Sequence, residues 1–285
     1  MLADMHTHSF FSPDADREAS IEAMARRASE LGLYALTVTD HCDCNYWLTA
    51  EEGSYPDYQQ NDSMMFGAGE YAPASIEAVT ALREQYPILR CGTELGQLVQ
   101  APKEAALMAA DPRLDFVIGS LHMNAGRPDF YWIEYNKMDT SEVYTLLDDY
   151  FAEELETCMT ADFDILGHLT YPLRSIVGEY GIQVDMSRYE DVIREIFCTL
   201  IERGRGIEIN TAGLRRKLAQ PSPTLEYVKL YRSLGGEILT LGSDAHRISD
   251  IGAGLREAAE LAKEAGFRYT AVYSRRKPEF IRLWI

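Results

Sequence analysis

Short apolar runs alternate with amphipathic stretches along the whole chain. Residues 2–5 read as a short strand, and residues 33–38, 88–94, 116–121, 163–166, 206–209 and 237–241 repeat the pattern. Each is a brief, nearly continuous apolar run closed by Gly, Ser, Asp or Glu, as buried parallel strands are. Between the runs the apolar period changes. Ile21, Met24, Ala25, Ala28 and Leu31 recur at helical spacing, and Gly32 closes a helix predicted over 18–32. Val143, Leu146, Leu147, Tyr150, Phe151, Leu155 and Cys158 stripe a helix over 141–159, and Tyr189, Val192, Ile193, Ile196 and Leu200 stripe another. Further helices are predicted over 73–86, 225–234 and 254–265, then a last strand over 269–273 and a short tail helix.

Strands alternating with helices in this rhythm predict an α/β fold: a parallel sheet with right-handed crossovers, most simply a closed barrel. A chain of 285 residues suits one barrel domain spanning 1–285, and no repeat, low-complexity tract or linker divides it. Two segments interrupt the rhythm. Residues 42–69 carry Tyr46, Trp47, Tyr55, Tyr58, Met64, Met65 and Phe66, and residues 123–139 carry Arg127, Tyr131, Trp132 and Tyr135. Both are too long and aromatic for mere connections. They are expected either to cover a functional site or to plug one end of the barrel.

Composition narrows the setting. No apolar stretch reaches the roughly 20 residues of a membrane span, and the start lacks the basic and apolar regions of a signal peptide. Five cysteines without a paired framework point to a reducing cytoplasm. Cys42 and Cys44 are spaced more tightly than zinc pairs usually are, so free thiols are expected. A formal charge of −18 argues against a nucleic-acid backbone as partner, and no membrane partner is indicated. An anionic substrate then needs local positive charge, which divalent cations among clustered carboxylates supply. The oligomeric state is not legible.

The histidines supply the chemistry. There are six, and none lies on a predicted helix or in a tail. His6 and His8 follow the first strand, where alternation points both rings the same way. His41, His122, His168 and His246 each follow another apolar run. That placement points to a metal site at the carboxyl ends of barrel strands.

In order, the candidates are His6, His8, Asp14, His41, Glu94, His122, His168, Asp244 and His246. With His6-Thr7-His8, Thr39-Asp40-His41, Glu94 after a strand, Gly119-Ser120-Leu121-His122, Gly167-His168 and Asp244-Ala245-His246, the chain closely resembles the PHP (polymerase and histidinol phosphatase) family. Residues 208–215 and 273–278 resemble its histidinol-phosphatase branch most. The resemblance implies a distorted (β/α)7 TIM-like barrel with two or three divalent transition-metal ions: zinc, manganese or iron. By it, His6, His8, Glu94 and Asp244 would hold a first ion. Glu94 would bridge to a second with His122 and His168, and Asp14, His41 and His246 would hold a third. Asp16 competes with Asp14, and Asp40 is expected to orient rather than ligate. Glu94, Asp244 and His246 would stand at the reacting centre.

Imidazole and carboxylate suit these metals, and paired cations suit in-line displacement at phosphorus. The implied activity is phosphate-monoester hydrolysis of a small phosphorylated substrate, histidinol phosphate first. Arginines should complete a phosphate clamp: Arg215 first, with Arg174 and Arg247 behind it. A PHP phosphoesterase acting on another small ester or nucleotide is the alternative. An amidohydrolase is a weaker one, since Glu94 stands where that family would place a bridging lysine. A non-catalytic remnant should have lost ligands, and none is missing.

Overall fold

The computed structural model describes residues 1–47 and 68–283. Most of the 42–69 segment, with its aromatic residues, lies outside the described residues. Parallel strands form one sheet in the order β1 (Asp4–Thr7), β2 (Leu36–Val38), β4 (Leu89–Gly96), β5 (Phe116–Ser120), β6 (Ile165–Leu166), β7 (Gly206–Asn210), β8 (Leu239–Gly242). The first and last meet at one end, where His8 N donates to Ala245 O and Asp244 N donates to His6 O. Seven strand positions thus close into a barrel, with the carboxyl ends of β1 and β8 joined beside the histidines. The barrel is wrapped by α1 (Ile21–Glu30), α2 (Ala68–Leu82), α3 (Pro102–Ala109), α4 (Thr140–Thr160), α5 (Glu190–Glu202), α6 (Leu225–Ser233) and α7 (Leu255–Glu264). No helix among the described residues is long and apolar enough to cross a membrane.

Local chemistry sets the boundaries. Ser20 caps α1 by accepting from Ala23 N, and Asp139 with Glu142 forms a capping box at α4. Helix α2 begins before Pro73 rather than at it. Helix α3, in a stretch left unassigned from sequence, starts from Pro102. Strand β3 (His41–Asp43) continues β2 after a break at Thr39-Asp40 and keeps its register on β4, with Val38 opposite Cys91 and His41 opposite Glu94. The run predicted over 33–38 is therefore followed by a second short strand that carries His41 and delivers Asp43.

The tail departs from expectation. Instead of a helix, β10 (Lys277–Arg282) folds back antiparallel on β9 (Tyr269–Ser274). The turn between them places Arg275 and Arg276 at positive φ, and their backbone N–H groups donate to Asp115. Ala271, Val272 and Tyr273 of β9 pack with Ala3, Met5, Phe116, Ile118 and Ile165. The hairpin thereby seals the barrel end opposite the histidines. Strand β9 is buried over Thr270–Tyr273 while β10 is largely exposed, so pairing with β9 decides the conformation of β10.

Candidate metal centre

A bulge in β1 prepares the site. Asp4 pairs with Leu36 but Thr7 with Val38, so three steps on β1 match two on β2. Met5 therefore joins the apolar plug while the next residue, His6, enters the polar layer above it. His6 and His8 face one another with their Nε2 atoms 3.1 Å apart.

What stands behind each ring fixes its tautomer. His6 Nδ1 lies 2.7 Å from Glu208 Oε1, and His122 Nδ1 lies 3.1 Å from Asp43 Oδ1, so each carries its proton on Nδ1. His8 Nδ1 lies 3.0 Å from Ser12 Oγ, whose own proton goes to Asp40 Oδ1 at 2.7 Å. His8 must then be the donor, and its Nε2 is a lone pair. His246 Nδ1 meets the Asp244 carbonyl at 3.1 Å, which again leaves Nε2 forward. Asp40 also accepts from Ser9 and Ser75, and so orients His8 through Ser12.

Glu94, fully buried on β4, divides its two oxygens. Oε1 is 2.8 Å from His168 Nε2, 3.2 Å from His122 Nε2 and 2.7 Å from Ser120 Oγ. Oε2 is 3.3 Å from His6 Nε2, 3.5 Å from His8 Nε2 and 2.9 Å from His41 Nδ1. Asp244, held at positive φ at the end of β8, places Oδ1 3.5 Å from His8 Nε2 and 3.9 Å from His6 Nε2. Asp14, half exposed, reaches His246 Nε2 at 3.0 Å and His41 Nε2 at 3.6 Å.

A shared cation accounts for these distances, because the Nε2 atoms of His6 and His8 point at each other and at carboxylate oxygens and so need positive charge between them. Bonds of about 2.1 Å in a tetrahedron require ligand–ligand edges of about 3.4 Å. The edges from His6 and His8 to each other, to Glu94 Oε2 and to Asp244 Oδ1 run from 3.1 to 3.9 Å. His41 Nδ1, Glu94 Oε2 and His246 Nε2 are also buried without a hydrogen bond to the described residues. The donor set fits a divalent transition metal. Three overlapping groups have ligand geometry: His6-His8-Asp244, His41-Glu94-His122 and His8-His41-His246. His41 thus faces two ways, toward Glu94 and toward Asp14, and is not confined to the third set.

The field agrees. Burial disfavours a charged His6, but Glu208, Glu94 and Asp244 outweigh it and hold its pKa well above the usual value. At His122, Glu94 and Asp43 overcome burial and push the pKa up to about 10. Burial, with His246 and His41 nearby, keeps His8 well below the ordinary value. Glu94 and Asp244 stay ionised despite burial, since His6 and its neighbours hold both well below the carboxylate range. The centre as a whole demands positive charge.

The three arginines separate. Arg174, buried, donates through Nη1 to Asp244 Oδ2 at 3.0 Å and through Nη2 to Asn210 Oδ1 at 2.6 Å. Arg215 Nη2 donates to the Ser243 and Asp244 carbonyls at 2.7 and 3.3 Å, bracing that turn. Arg247 does not join them: its side chain is 71% exposed and faces Asp16 at 3.9 Å. Proximity to His246 in sequence gave it no place in the site, because its side chain leaves the barrel mouth. Asp16 goes with Arg247, while Asp14 faces the histidines.

Glu208, Asp43, Ser12, Ser120 and Gln97, whose Oε1 accepts from His122 N at 3.0 Å, were missed as site residues. Glu208 also accepts from His168 N through Oε2, at 3.1 Å, and so ties β1 to β6. A Cβ on Gly242 would collide with Glu208 Oε1 and His6 Cβ, which is why glycine ends β8.

Comparison with known proteins gives a consistent picture. A PHP domain is matched over residues 4–212. A probable histidinol-phosphatase of Thermotoga maritima is 28% identical over 95% of each chain. The histidinol-phosphatase of Lactococcus lactis is 26% identical over 95% of this chain and 94% of its own. A crystal structure of the Lactococcus histidinol phosphate phosphatase, complexed with zinc, L-histidinol and phosphate, superposes with a TM-score of 0.77. It covers 98% of both chains at 22% identity, and shows the shared barrel fold.

Proposed function

The chain belongs to the PHP domain family, and from that premise we propose that it is a metal-dependent phosphoric monoester hydrolase acting on L-histidinol phosphate. The observation that carries the reading is Glu94, whose two oxygens face two separate sets of imidazoles. One carboxylate placed so is built to bridge two cations. We assign His6, His8, Glu94 and Asp244 to a first ion, Glu94, His122 and His168 to a second, and Asp14, His41 and His246 to a third. Zinc is the preferred identity, supported by the imidazole-rich donors and the zinc-complexed relative. The whole chain is read as one barrel unit working in the cytoplasm.

Bound divalent ions supply Lewis-acid charge to phosphoryl oxygens and make water acidic enough to attack at neutral pH. The protein's own groups prepare that chemistry. Glu208, Asp43 and Ser12 hold His6, His122 and His8 in one tautomer, so no reorganisation is needed when substrate arrives. Arg174 uses both terminal nitrogens on Asp244 and Asn210, but its buried Nε–H has no acceptor among the described residues. That donor is left for a phosphoryl oxygen, and it sets Arg174 ahead of Arg215 as the phosphate contact.

The test is phosphate release by the zinc-loaded protein from L-histidinol phosphate, glycerol phosphate and a nucleoside monophosphate. The reading predicts clear preference for the first. Preference for the nucleotide would move the substrate while leaving the chemistry in place.

A further inference from the structure

The wall beside the centre is electrically divided. Arg174 lies on one side, with its guanidinium carbon 5.1 Å from the centre of the Tyr171 ring. Tyr171 packs its ring 4.9 Å from His168 and 5.3 Å from His122, so it borders the metal-ligand cluster directly. On the other side, Tyr171 Oη donates to Asp129 Oδ1 at 3.4 Å, and Tyr131 N donates to the same oxygen at 2.7 Å. No protein donor among the described residues occupies Asp129 Oδ2.

Asp129 is also firmly placed. The next residue, Phe130, is fully buried, donates its N–H to the His122 carbonyl at 3.0 Å and accepts from Tyr135 Oη at 3.1 Å. Burial pushes Asp129 up to about 6 while His122 and His41 act in the opposite direction, so the carboxyl lies within their field. Beyond it, Tyr131 and Trp132 stand 52% and 51% exposed in an edge-to-face pair, ring centres 4.8 Å apart. Such a pair offers a flat surface to a heteroaromatic ring.

A wall that is cationic at Arg174 and anionic at Asp129 matches a zwitterion. We propose that Asp129 is the specificity-determining residue of this site, its Oδ2 accepting from the protonated amine of an amino-alcohol phosphate ester whose phosphoryl group lies on the Arg174 side. This rests on the phosphatase reading above and extends it to the organic half of the substrate. A charge-assisted hydrogen bond rewards the amine-bearing ester, and the same carboxylate repels esters carrying a second anionic group.

The experiment uses the zinc-loaded protein and Asp129→Asn, a near-isosteric change that keeps an acceptor for Tyr131 N and Tyr171 Oη. Calorimetric binding of L-histidinol and of inorganic phosphate is measured beside kcat/KM for L-histidinol phosphate and p-nitrophenyl phosphate. Asp129→Asn should weaken L-histidinol and lower kcat/KM for its phosphate by about tenfold or more, while phosphate binding and the amine-free ester change less than about twofold. Asp129→Glu should recover part of the loss. Equal losses on both esters, or none on L-histidinol, would overturn the proposal and leave the phosphatase reading standing. A wild-type protein that cleaves p-nitrophenyl phosphate but neither binds L-histidinol nor cleaves its phosphate would overturn both.

Discussion

Arg174 donates to Asp244 Oδ2 across 3.0 Å, and the same carboxylate turns Oδ1 toward His8 at 3.5 Å. A positive group fixed behind a prospective ligand aims that ligand and moderates its charge. Arg174→Ala should therefore lower kcat/KM for a phosphate monoester by about 10²-fold or more. Arg174→Lys keeps the charge but cannot reach Asp244 and Asn210 together, so it should stay at least about tenfold down. Steady-state kinetics with metal content measured in parallel decide this; a fully active lysine variant would reduce Arg174 to a point charge.

Glu94 and Asp14 sit at opposite ends of the ligand hierarchy. Glu94 is buried between two imidazole sets, whereas Asp14 is half exposed and among the described residues pairs with His41 and His246. Glu94→Gln should lose at least one ion and about 10³-fold or more in turnover; Asp14→Asn should lose less, and recover in part with excess metal. Elemental analysis and phosphate release on one preparation series test both, and full metal content with near-normal turnover for Glu94→Gln would remove the bridge.

Glu154 predicts a pH signature away from the chemistry. It is buried on α4, accepts from Tyr150 Oη at 2.8 Å, and leaves Oε2 without a partner among the described residues. Burial pushes its pKa from 4.5 up to about 8. Between those values the native protein keeps a proton that the unfolded chain has released. Its contribution is thus complete below the unfolded value and declines as pH rises, by up to about 1.4 kcal/mol per unit. Glu154→Gln should flatten that slope relative to wild type in denaturation series from about pH 5 to about pH 8. Parallel curves for the two proteins would contradict it.

The C-terminal hairpin is held by Arg276, which donates to Asp164 and Asp162 side chains and to the Ala109 carbonyl. Arg276→Ala leaves the buried Asp164 with the Val117 N–H at 2.8 Å and Arg205 at 3.5 Å as its remaining described partners. A loss of about 1–3 kcal/mol is expected, with kcat/KM unchanged because the hairpin seals the end remote from the site. An activity loss at unchanged stability would mean that the barrel end and the site are coupled.

The strand-end histidines were legible because short apolar runs and helical stripes carry their own period, and each histidine follows a run directly. His6, His8, Glu94 and Asp244 come together as that order implies. Their supporting groups were not legible. Glu208 meets His6 across 202 positions, and Asp43 meets His122 across 79, so neither pairing leaves a local mark. The bulge that moves Met5 and His6 into adjacent layers is equally silent. The tail helix was misread because Lys277–Arg282 carries no decisive period, and antiparallel pairing with β9 settles it as a strand. Arg247 was misplaced for a related reason: nearness in sequence to His246 does not fix where a long side chain points.

The central claim is that phosphate-ester cleavage here depends on metal held by these strand-end residues. The most direct measurement is phosphate release from L-histidinol phosphate by the protein before chelation, after removal of all metal, and after zinc is restored, with Glu94→Gln treated alongside. The account predicts that wild type loses turnover by about 10³-fold or more and regains it with zinc, while Glu94→Gln does not. Undiminished turnover in protein shown by elemental analysis to be metal-free would contradict it.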